Sequence, residues 1–161
     1  MMHTFSLLVE NHQGVLARIA GLFSGRGYNL ESLTVGVTTD PTISRITLVC
    51  MGDDATMEQI KKQLNRIVDI IKVVDMTIVP SVDRELALIK ISAKPSQRGE
   101  IFQVADVFRA KVMDVGQSTM ILEITGTADK ISDFIILLSP YGIIEIARSG
   151  AVSMERGKKL K

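Results

Sequence analysis

Tryptophan is absent, and aromatic residues make up only 4% of the 161-residue chain. A core must therefore be assembled from Ile, Val, Leu and Met, which favours sheet-rich packing. The single cysteine, Cys50, excludes an internal disulfide framework and any cysteine-rich zinc site. Two histidines, His3 and His12, leave little from which to build a metal centre, and no metal site is expected. Neither sign of charge dominates, because 19 basic residues stand against 18 acidic ones. The one-sided basic field of a nucleic-acid-binding chain is missing, so no nucleic-acid partner is expected. The opening Met1-Met2-His3-Thr4-Phe5 lacks the basic and apolar blocks of a signal peptide. The apolar stretch Phe134–Leu138 falls far short of the ~18–20 residues of a membrane span. No membrane association and a cytoplasmic location are the expectation.

What the chain has is apolar residues at 46%, arranged in two alternating periodicities. From His3 to Glu10 the pattern has period two, with Phe5, Leu7 and Val9 on one face, as in a half-buried strand. After Asn11-His12-Gln13-Gly14, the residues Leu16, Ile19, Ala20 and Phe23 recur at helical spacing, and Gly25 and Gly27 stop the helix. Strand-like runs Asn29–Val37 and Ile43–Met51 follow, joined by the turn Thr39-Asp40-Pro41. Asp53 and Asp54 can cap a second helix with Met57, Ile60, Leu64 and Ile67 on one stripe. Ile70–Val79 completes the order β-α-β-β-α-β.

Pro80–Asp83 reads as a linker, after which the order repeats. Glu85–Ala93 is strand-like, and Ile101, Val104, Ala105 and Phe108 form a helical stripe. Lys111–Gly116 and Thr119–Gly126 are strands, Ile131, Phe134, Ile135 and Leu138 mark a helix, and Ile143–Arg148 is the last strand. A period of about eighty residues is far above that of solenoids and implies a tandem of two small domains. The expected class is α+β: two ferredoxin-like βαββαβ units at 1–79 and 84–161, antiparallel sheets with helices on one face. Such a sheet leaves its second face uncovered, and units of about 80 residues bury little surface alone. Association of at least two copies is expected.

The first strand–helix junction holds the most chemistry. A glycine-containing turn at a helix start offers free N–H groups and the positive end of the helix dipole to an anion. Gly14 allows close backbone approach, because it has no Cβ. Asn11 and Asn29 carry amides that donate and accept. With Val15, Leu16 and Leu30 nearby, such a set suits a small apolar amino acid. The same residues also read as an ordinary turn in which Asn11 caps the helix. Other candidates point to structure: Cys50 to core, His12 to a solvated loop, Asp53-Asp54 to a cap, Gly25-Arg26-Gly27 to a helix end. Arg156-Gly157-Lys158-Lys159 reads as a solvated basic terminus. No nucleophile, base and acid stand at a recognisable spacing, so no catalytic residues are assigned.

Glu10-Asn11-His12-Gln13-Gly14-Val15-Leu16-Ala17-Arg18 resembles the opening of ACT domains, ferredoxin-like modules that bind amino acids. The run Phe23-Ser24-Gly25-Arg26-Gly27-Tyr28-Asn29-Leu30-Glu31-Ser32-Leu33-Thr34-Val35-Gly36 is more specific. Together with Asp40-Pro41-Thr42-Ile43-Ser44-Arg45, it is similar to the small-subunit family of acetolactate synthase. Arg84–Lys90 and Ala147–Val152 resemble the second domain of that family, so the likeness runs from about residue 3 to 157. It implies an N-terminal ACT domain, an ACT-like C-terminal domain, and a homodimer that binds valine between N-terminal domains. There the Asn11–Leu16 loop of one chain faces Asn29–Leu30 of the other. Asn11, Gly14, Val15, Leu16, Asn29 and Leu30 are the implied effector-binding residues.

The resemblance further implies no catalysis by this chain alone. It implies a large catalytic partner carrying thiamine diphosphate, Mg²⁺ and FAD, with no cofactor on this chain. That partner condenses two pyruvates, or pyruvate with 2-oxobutyrate, on the way to valine, isoleucine and leucine. Ala110 stands where the family is expected to have glycine, which implies mild strain if that position needs positive φ. An alternative is a stand-alone ACT-type regulator of another enzyme or of transcription. A transcription regulator would need a helix-turn-helix and a basic patch, and neither can be found. An RNA-binding ferredoxin-like module would need aromatics where Ile46, Leu48 and Val49 stand.

Overall fold

A computed structural model describes residues 1–157, so Lys158 and Lys159 of the basic terminus, and the end of the expected 84–161 domain, lie outside the described residues. The chain divides into two compact units. The first runs from Met1 to Val82 and also includes residues 151–157, and the second is Asp83–Gly150.

The first unit contains β1 (Met2–Glu10), α1 (Val15–Gly25), β2 (Asn29–Val37), β3 (Ile43–Met51), α2 (Asp54–Leu64) and β4 (Ile70–Asp75). They form an antiparallel sheet in the order β2-β3-β1-β4. Period-two placement sends Phe5, Leu7, Val9, Ile46, Leu48 and Cys50 to the helix side, where they meet Val15, Ile19, Phe23, Met57, Ile60 and Leu64. All twelve are buried, and they close one core. Asp53 caps α2 by accepting from the Thr56 N–H at 2.8 Å, and the Thr56 side chain together with that N–H holds its carboxyl below the usual range.

β5 (Ser81–Ser92) carries the chain into the second unit, followed by α3 (Arg98–Val107), β6 (Lys111–Val115), β7 (Thr119–Gly126), α4 (Ala128–Leu138) and β8 (Ile143–Arg148). The sheet order β6-β7-β5-β8 repeats that of the first unit. Ala87, Ile89, Ile91, Met120, Leu122 and Ile124 are buried against Ile101, Ala105, Ile131, Phe134 and Leu138. The tandem α+β arrangement read from the pattern is the observed one.

Three local expectations differ. Pro80–Asp83 is not an open linker, since β5 begins at Ser81. A short β9 (Val152–Glu155), absent from the sequence reading, pairs with β5, and the Arg156 N–H donates to Pro80 O at 2.8 Å. Four residues with an exposed Val152 and Met154 are too brief for period two to register. Ala110 is not the positive-φ position: Arg109 adopts φ 53 instead, and the Ala110 N–H closes the end of α3 by donating to Ala105 O at 2.8 Å.

Candidate functional site

β1 ends at Glu10, and the next residue is tied to the β2–β3 turn. The Asn11 N–H donates to Thr42 O at 2.8 Å, and its side-chain Nδ2 donates to Pro41 O at 2.9 Å. Asn11 therefore does not cap α1, as the ordinary-turn reading had it. The cap position is Gly14, at φ 88 and ψ −14, and no side chain bonds to the helix start. The first intrahelical bond runs from the Arg18 N–H to Gly14 O at 3.0 Å, which leaves the first-turn N–H groups unclaimed within the helix. No acidic residue stands in that turn, so the positive end of the dipole has no internal counter-charge. A Cβ built on Gly14 meets nothing within 4 Å. Backbone conformation, not crowding, is what asks for glycine here.

Val15 points into the core while Leu16 is 44% exposed, so an apolar surface lies beside the free N–H groups. An open cleft of about 410 Å³ adjoins the loop and is lined by Glu10, Asn11, His12, Thr42, Ile43 and Ile71.

His12, expected as a solvated loop residue, belongs to a charged network. Its Nε2 lies 2.8 Å from Asp69 Oδ1 and 3.2 Å from Glu10 Oε2, and its Nδ1 lies 3.1 Å from Gln13 O. Asp69 is buried and also pairs with Arg18 of α1. A neutral imidazole has one N–H, yet both ring nitrogens here face acceptors, so the doubly protonated ring suits the site. The pKa is raised from 6.5, chiefly by the Gln13 carbonyl and further by Asp69 and Glu10, with desolvation opposing them. Because the folded value is the higher one, these ties are complete below pH 6.5 and are lost as pH rises through the folded value above it. Imidazole NMR should give a His12 midpoint above 6.5 that Asp69→Asn moves back down. An unchanged midpoint in that variant would remove Asp69 from the account. Asp69 lies 57 residues from His12, with no motif joining them, so only the fold reveals the pair. Glu10, His12 and Asp69 are the one trio of possible metal-ligating groups that converges among the described residues.

Asn29 and Leu30 lie elsewhere. Asn29 pairs with Met51, which in turn pairs with Met2, whereas Glu10 pairs with Ile43 at the other end of β3. Eight residue steps separate the two ends, or ~26 Å of strand. The Asn29 amide donates to Glu31 Oε1 at its own end of the sheet, and Leu30 packs partly buried against the core. One copy of the chain thus brings Asn11, Gly14, Val15 and Leu16 together but holds Asn29 and Leu30 far from them.

The other candidates are structural. Cys50 is fully buried, and desolvation pushes its thiol up to about 11. The Arg26 N–H bonds Phe23 O at 3.3 Å at the end of α1. In the second unit, the equivalent junction holds a 3-10 turn at Pro95–Gln97, and Arg98 Nη2 donates to Gly116 O and Gln117 O. No residue there matches Asn11. No described helix is long and apolar enough to cross a membrane.

Comparison with known proteins joins these observations to a family. Residues 5–72 match the model described as the AHAS small subunit-like ACT domain, and residues 84–157 match that of the small subunit of acetolactate synthase. A probable acetolactate synthase small subunit of Archaeoglobus fulgidus is 52% identical over 99% of both chains. The acetolactate synthase small subunit of Mycolicibacterium smegmatis is 48% identical over 98% of this chain and 92% of its own. The crystal structure of the small subunit from Thermotoga maritima superposes with a TM-score of 0.89 at 42% identity, covering 99% of each chain.

Proposed function

This chain belongs to the acetolactate synthase small-subunit family, and from that premise we propose that it activates a large catalytic subunit and makes it sensitive to valine. The observation that carries the reading is the start of α1. Gly14 holds first-turn N–H groups open beside the exposed Leu16, with no acidic side chain to neutralise them. An amino-acid carboxylate fits those donors, and a short branched side chain fits the apolar surface. Asn29 and Leu30 would come from a second copy, because the fold places them ~26 Å away along the strand within one copy. The effector-bearing form is therefore a homodimer.

The catalytic partner carries the thiamine diphosphate, Mg²⁺ and FAD of the reaction, and this chain supplies no catalytic group. The first unit senses the effector. The second, whose loop lacks a counterpart to Asn11, engages the partner. Valine acts by binding more tightly to a dimer state that activates less well, and the size of the response is set by that difference in affinity.

Purified chain should form no acetolactate from pyruvate. Added to its catalytic subunit, it should raise the rate, and valine should then lower it. Acetolactate formed by the highly pure chain, or an unchanged rate in the mixture, contradicts the proposal.

A further inference from the structure

The face of the first sheet turned away from α1 and α2 carries a cavity of about 210 Å³ lined by Ser6, Arg45, Lys72, Val74, Met76 and Met154, with Leu8 and Glu155 completing it. Strand register explains the convergence. Leu8 pairs with Arg45 on one side and Lys72 on the other, so two cations flank one apolar residue across three adjacent strands. Ser6 pairs with Val74 in the next row of the same face. Ser6 is 2% exposed and accepts from Arg45 Nη1 at 2.9 Å, which leaves its own hydroxyl proton to donate. Met76 is buried, and β9 supplies Met154 and Glu155 as a wall.

From this arrangement we propose a second small-molecule site, for a carboxylate with a short branched apolar tail. Two cations against one carboxylate leave an excess positive charge, which one ligand carboxylate balances. Leu8, Val74, Met76 and Met154 offer the apolar surface for the tail. The volume is below the ~300–1,000 Å³ of drug-sized pockets and suits a metabolite of a few heavy atoms. Two sources share this chemistry, an α-amino acid and its 2-oxo acid. Glu155 distinguishes them, because only the amino acid brings an ammonium for it to pair. The site lies on the sheet face opposite α1 and does not depend on the effector reading of the Gly14 loop.

The test uses full-length protein labelled with ¹³C at the methionine methyl groups, with Met76 and Met154 assigned through M76L and M154L. Valine and 2-oxoisovalerate are titrated separately into the millimolar range. Both reporter signals should shift and saturate with at least one of them. Lys72→Met and Arg45→Gln should each weaken that binding by roughly tenfold or more, while Gly14→Asp leaves it intact. Lys72→Met keeps the backbone pairing with Leu8, and among the described residues the Lys72 side chain makes no ion pair, so this variant guards against misfolding. If valine saturates and Glu155→Gln weakens it, the ligand is the amino acid; if only 2-oxoisovalerate saturates, and Glu155→Gln does not weaken it, the ligand is the oxo acid. Shifts that never saturate, that persist in Lys72→Met, or that vanish in Gly14→Asp overturn the assignment.

Discussion

Gly14→Asp should weaken valine binding by roughly tenfold or more while costing less stability than Gly14→Ala. Both effects come from the same position: the added carboxylate opposes the ligand but offsets part of the left-handed strain at φ 88. A carboxylate at this site faces the ligand carboxylate over shared N–H donors, and like charges partly shielded from water oppose each other by more than about 1.4 kcal/mol, a factor of ten. For folding, the same carboxylate sits at the uncompensated positive end of α1 and stabilises it by about 0.3–1 kcal/mol. Aspartate also tolerates left-handed backbone better than most residues, and the space around Gly14 is open. Gly14→Ala is the contrasting variant. It brings no charge but must occupy φ 88, at a cost of about 1–2 kcal/mol. Calorimetry with valine and thermal unfolding of both variants check the pair. Equal valine affinity in Gly14→Asp and the parent would move the site away from this loop.

Phe23→Ala should unfold the first unit and spare the second. Phe23 is 2% exposed on the inner face of α1, between Ile19 and the ring of Tyr28, whose centroid lies 6.3 Å away edge-on. Removing a buried phenylalanine costs about 3–5 kcal/mol. That is a large share of what a unit of about 80 residues has, at roughly 0.05–0.15 kcal/mol per residue. The second core is built on its own Phe134 and Ile89 and shares no residue with the first. Hydrogen exchange should therefore show β1 and β3 losing protection while β5 and β7 keep theirs. Loss in both sheets together would mean that the two cores fold as one.

Period-two runs such as Phe5-Leu7-Val9 and helical stripes such as Met57-Ile60-Leu64 made the tandem fold legible, because burial on one face dictates both. β9 was not legible: it is short and half exposed, and its place depends on pairing with a strand about seventy residues earlier. At the site, sequence reads Gly14 as a place where the backbone can approach a ligand closely, whereas in the structure it is the positive φ of 88 that asks for glycine. Asn11 reads locally as a possible cap, because local sequence cannot show that its amide reaches Pro41. The His12–Asp69 pair was invisible for the same reason, as ion pairs between distant loops leave no periodic trace. Nor could spacing alone tell that Asn29 sits at the far end of the sheet from Gly14. The pairing of Asn29 with Met51 fixes it there.

That separation makes the central claim, a valine site completed only by two chains, directly testable by mixing variants. Gly14→Asp and Asn29→Leu homodimers should each bind valine poorly. In a heterodimer of the two, one site carries both substitutions and the other carries neither. Calorimetry on isolated heterodimer should therefore recover one site of parental affinity per dimer. If the heterodimer binds valine as poorly as either homodimer, the site lies within a single chain and the account is wrong.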